Sequence, residues 1–126
     1  MFEFLNFLRG DNLDFLSVFV RLMLAVFCGG IIGLERERKR RPAGFRTHIL
    51  ICLGAAMTAM TGLFIAHIGG TGDISRISAQ VISGIGFLGA GIILKDGNRI
   101  KGLNTAATLW CVAAIGVLTA FGMTIE

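Results

Sequence analysis

Gly29–Met57 reads GGIIGLERERKRRPAGFRTHILICLGAAM, two apolar runs on either side of a short, densely basic stretch. Arg36, Arg38, Lys39, Arg40, Arg41 and Arg46 crowd that stretch, offset by Glu35 and Glu37. An apolar helix that ends in such a cluster reads as a membrane span meeting the cytoplasmic surface. The chain is therefore expected to be an integral membrane protein.

Composition agrees. Hydrophobic residues make up 54% of the chain and charged residues only 16%, too few to clothe a soluble domain of this length. The net charge of +4 does not point to nucleic acid, because the cations are neither spread along an exposed helix nor interleaved with aromatics. Half of the 12 Lys and Arg lie in the one stretch quoted above, so anionic lipid is the simpler partner. Cys28, Cys52 and Cys111 are far apart in apolar runs and are read as buried packing residues.

Working outward, four apolar spans fill the chain: about Leu13–Leu34, Thr47–Ile68, Ile74–Leu94 and Leu103–Ile125. Each has roughly the 20 residues a helix needs to cross the hydrocarbon layer. Met1–Gly10 sets Phe2, Phe4, Leu5, Phe7 and Leu8 against Glu3, Asn6 and Arg9, the pattern of a short interfacial helix. The expected architecture is an all-α membrane protein, a compact bundle of four transmembrane helices in one domain over residues 1–126.

Lys and Arg number nine on the side of the first and third connections and three on the other, which places both basic connections in the cytoplasm and both termini outside. A weak internal repeat accompanies this layout. Gly44-Phe45-Arg46-Thr47 opens the second span and Gly102-Leu103-Asn104-Thr105 the fourth, each after a charged connection. The two helical hairpins would run in parallel.

Glycine is abundant inside the spans. Gly29 and Gly33 form a GxxxG pair, Gly54, Thr58 and Gly62 continue a small-residue stripe, and Gly84, Gly86, Gly89 and Gly91 crowd the third span. All are read as helix-packing positions, with a face for self-association as a homodimer or other homo-oligomer. Gly84–Gly89 also fits the G-x-G-x-x-G dinucleotide pattern, but it sits mid-span with no strand before it and is set aside.

Polar groups within spans are costly and point to function or to capping. Arg21 is expected to snorkel outward or to pair with Asp73. Asp73, Arg76 and Gln80 share one face at the outer entrance of the third span, either as a capped helix start or as a polar vestibule on an ion path. Glu35 and Arg46 are expected to pair across the first basic connection beside Arg36. Asn104 either caps the fourth span or makes a contact. His67 is read as an interfacial belt residue.

Three stretches, RPAGFRT (Arg41–Thr47), AQVISGIGFLGAG (Ala79–Gly91) and GLNTAATLWC (Gly102–Cys111), occur in this order and closely resemble the membrane domain of the MgtC/SapB family. The resemblance runs from about Arg21 to Met123. It implies a bacterial inner-membrane protein linked to growth in low magnesium and to survival inside macrophages, and a regulator acting on the membrane-embedded F-type ATP synthase. It carries functional importance onto Asn104 and Cys111, with Thr105 beside them. Longer family members add a fifth span and an ACT-like cytoplasmic domain, and nothing assigned to that domain carries over to these residues.

No nucleophile–base constellation, phosphate loop or metal-ligand spacing appears, so neither an enzyme nor a cofactor or metal protein is expected. Two classes remain: a small regulator that docks onto another membrane complex, and a small oligomeric transporter or channel for magnesium or another cation.

Overall fold

The computed structural model describes residues 14–70 and 73–122, together with Met1 and Glu3. The amphipath expected at the N-terminus and the last residues of the fourth span lie outside the described residues. Among the described residues, four long helices run in the order α1 (Phe15–Arg38), α2 (Phe45–Gly69), α3 (Ile74–Ile92) and α4 (Leu103–Ala120). Between α3 and α4, β1 (Leu94–Asp96) pairs antiparallel with β2 (Arg99–Lys101).

The chain is an all-α membrane protein. α1, α2 and α4 are long and apolar enough to cross a bilayer by themselves, with mean hydropathies of 2.3, 2.2 and 1.6. α3 is not among them: Arg76, Gln80 and its serines dilute 19 residues of helix.

One connection differs from expectation. α1 continues through the first basic residues to Arg38, because Glu35–Arg38 are good helix formers and cations suit a helix C-terminus. Only the short turn up to Gly44 is left as connection, with Arg40 and Ala43 at positive φ. The third connection is a β-hairpin. Leu94 faces Lys101 and Asp96 faces Arg99, so Gly97-Asn98 is a two-residue loop, with Gly97 at φ 62° as a tight hairpin requires.

The interior is built from small residues. Ala25, Cys52, Ala56, Ala59, Val112 and Ala120 form the central cluster, while Phe19, Phe27, Leu50, Phe64, Phe87 and Trp110 face outward. Large side chains belong in the lipid and small ones between helices, where close backbone approach supplies the packing energy. One stripe of α1 is buried: Ser17, Arg21, Ala25, Gly29, Gly33 and Arg36.

Glycine spacing proved a poor guide to which glycines pack. A Cβ on Gly29 would lie 2.9 Å from the Cys52 Cβ, and one on Gly33 would lie 2.7 Å from the Phe45 Cα. Gly116 is pressed against the Cys52 carbonyl, and Gly89 rests on Ala106. Gly84, Gly86 and Gly91 have nothing within 4 Å of the Cβ position and lie on the open side of α3. Gly54 and Thr58 also face outward, while Gly62 is buried against Ile77.

Gly33→Ala should therefore destabilise the bundle by about 1–3 kcal/mol, because the obstructing atoms are backbone. Gly86→Ala should be neutral or mildly stabilising through helix propensity. Unfolding both variants by SDS titration in mixed micelles checks the contrast; equal losses would refute it.

Candidate functional site

Two arginines of α1 hold the two ends of α4. Near the start of α1, Arg21 is 4% exposed and donates from Nη1 to the backbone carbonyl of Ala120 at 2.8 Å. That carbonyl lies in the last turn of α4, where helix carbonyls lack internal partners and the dipole favours a cation. Arg21 thus neither snorkels outward nor pairs with Asp73, because an orphan helix end lies within its reach. At the other end, Arg36 is also buried, and its Nη2 donates to the Thr105 hydroxyl in the first turn of α4. Thr105, expected on a contact face, is 3% exposed and serves this internal bond.

The expected pairing of Glu35 with Arg46 is absent. Glu35 accepts from Lys39 at 2.6 Å one helical turn along, an exposed pair worth little by itself. The carboxylate that bridges the connection is Glu37, which accepts the Phe45 amide at 3.1 Å and so meets a first-turn donor of α2. Arg46 is exposed. Beside this start, His48 is fully buried, and its Nδ1 donates to the Gly44 carbonyl at 2.8 Å. Its Nε2 is buried and has no hydrogen-bond partner among the described residues.

At the opposite end, Asp73 is the N-cap of α3 and accepts from the Ser75 amide at 3.0 Å and the Ser75 hydroxyl at 2.6 Å. Those donors hold its carboxyl below the ordinary carboxylate range. A depressed value means the cap is intact at neutral pH and is lost only as pH falls through it. Asp73, Arg76 and Gln80 are all exposed and line no path inside the bundle. The buried polar residue of α3 is Ser78.

The outer face of α4 carries the remaining candidates. Gly102, at φ 86°, is the N-cap of α4, and no side chain caps this helix, so Asn104 is not a cap. Asn104 and Cys111 are both exposed and stand two turns apart on one face, with Ala107 between them and Trp110 alongside. Cys52 is buried as expected, whereas Cys111 is not.

This face lies within a stretch that matches a known family. A match to the MgtC family covers residues 22–126. The chain belongs to the MgtC family. "Protein MgtC" of Brucella abortus is 50% identical over 99 residues, which are 79% of this chain and 40% of the relative. "Protein MgtC" of Salmonella typhimurium is 46% identical over 103 residues, 82% of this chain and 43% of the relative. An uncharacterized protein of Synechocystis sp. is 46% identical over 104 residues, again 82% and 43%. This MgtC-family chain thus spans about two fifths of the length of these relatives. No solved structure matches it.

The places of Ser17, Glu37, His48 and Ser78 are not evident from the sequence of this MgtC-family chain. Ser17 gave one signal, falling one turn before Arg21 on the same face. Glu37 and His48 gave none, since their roles appear only once α1 and α2 fold together.

Arg21→Leu should leave the Ala120 carbonyl unmet and cost about 1–3 kcal/mol. Arg21→Lys, which keeps a donor, should cost less. SDS-titration midpoints for the two variants check this order, and identical midpoints would show that the bond to Ala120 contributes nothing.

Proposed function

We propose that the chain is a regulator of the bacterial inner membrane, not an enzyme, that docks onto another membrane complex through the outer face of α4. The complex is F-type ATP synthase, and the setting is adaptation to low magnesium and survival inside host cells. The observation that carries this reading is Asn104, an exposed amide on an apolar helix within a membrane protein. An exposed amide in the first turn of a membrane helix is free to bond another helix, and interhelical amide bonds are a recurring glue in membranes. Cys111 and Ala107 on the same face keep the approach close.

The orientation follows the Lys and Arg bias, with the basic connections cytoplasmic and both termini outside. The cations of the α1–α2 turn draw anionic lipid to that side. The open glycines of α3 suit a second copy.

The competing reading is a small oligomeric transporter for magnesium or another cation. Cation paths are lined by acidic side chains or carbonyls. The buried polar and charged residues among those described are Ser17, Arg21, Arg36, His48, Ser78 and Thr105, with no carboxylate in the set. That favours the regulator.

Affinity purification from native membranes in mild detergent should bring down the ATP synthase with wild type and lose it with Asn104→Ala. Proteoliposomes holding the purified protein should take up no more magnesium than empty vesicles. Robust uptake that depends on Asp73 would replace the regulator with the transporter.

A further inference from the structure

Arg36 is a buried cation with no ion pair among the described residues. It is 8% exposed, its Nε is buried with no hydrogen-bond partner, and its Nη2 is held by a neutral hydroxyl, that of Thr105. The acids closest in sequence are committed elsewhere, Glu35 to Lys39 and Glu37 to the Phe45 amide. A buried cation without an ion-pair partner is costly.

The guanidinium is also held against a second source of positive potential. Thr105 lies in the first turn of α4, whose leading amides have no side-chain cap, whereas Glu37 and Asp73 serve the first turns of α2 and α3. Gly102 keeps this start in place, because its φ of 86° and its closeness to the Ile92 carbonyl leave no room for a Cβ. Bare amides at a helix N-terminus attract anions, and a guanidinium fork matches two oxygens of a phosphate. Thr105 accepts from Arg36 and still has its own O–H to donate. The exposed Arg38, Lys39, Arg40 and Arg41 lie within five residues along the chain and would raise the local anion concentration.

We propose that Arg36, Thr105 and the first turn of α4 form a binding site for one phosphate group, borne by a lipid headgroup or by a soluble phosphate compound. The site is separate from the diffuse attraction of the basic turn for anionic lipid, and it does not depend on docking through Asn104. One anion there would satisfy the buried guanidinium and the uncapped helix start together.

The test uses the full chain in an uncharged detergent. Native mass spectrometry compares retention of phosphatidate with that of diacylglycerol bearing the same acyl chains. Thermal unfolding compares inorganic phosphate with chloride at equal ionic strength. Wild type should retain one phosphatidate per chain, or be stabilised by phosphate, or both. Phosphatidate alone identifies a lipid source and phosphate alone a soluble one. Arg36→Gln and Thr105→Val should each weaken binding about tenfold, as loss of a charge-assisted bond implies. Arg38→Gln with Arg41→Gln should change it less than about twofold, as expected of exposed charges. If Arg36→Gln does not fold, Arg36→Lys, which keeps charge without the fork, takes its place beside Thr105→Val. Failure of both probes to bind wild type overturns the proposal. So does wild-type binding by the folded Arg36 and Thr105 variants, or an equal loss in the Arg38/Arg41 variant.

Discussion

Cys52 sits where three helix backbones come together. Gly29 of α1 meets its Cβ, and Gly116 of α4 is pressed against its carbonyl. Side chains larger than hydrogen at either glycine would force the helices apart, so the position of α2 between its two neighbours depends on this contact. The alanines of the core follow from it, since backbones this close leave room for little else. Bulky residues are consequently displaced to the outside, where lipid receives them.

A core of this kind holds helices together but says little about their rotation or depth. Polar groups supply that. Arg21 reaches the last turn of α4 and Arg36 its first, both from the buried stripe of α1. Glu37 and Gly44 set the start of α2, and Asp73 sets the start of α3. Apolar contact sets the distance between helices and hydrogen bonds set their registration, a division that a lipid solvent makes natural because it rewards polar pairing and offers no hydrophobic drive between helices.

Among the described residues, the order of the helices was legible because α1, α2 and α4 each coincide with a long apolar run, and α3 with a shorter, more diluted one. The Asp73 cap was legible too, since its partner lies two residues away. Arg21 was not: its acceptor is a backbone carbonyl 99 residues along the chain, and main-chain acceptors leave no trace in a residue pattern. The glycines of α3 misled for a related reason. In a soluble helix the polar face reveals which side is buried, but in a membrane both sides are apolar, and Gly84 looks the same as Gly33 until the neighbours are placed. The α3–α4 hairpin left little trace, because its strands are only three residues each on either side of Gly97-Asn98.

The arginine pair also acts as a ruler. Arg21 and Arg36 are 15 residues apart, and so are their acceptors Thr105 and Ala120, on helices that run in opposite directions. Sliding α4 along α1 by one turn, about 5.4 Å, would break both bonds at once. The depth at which α4 presents Asn104 and Cys111 is thereby locked to α1, and any protein that reads that face meets it at one fixed height in the bilayer.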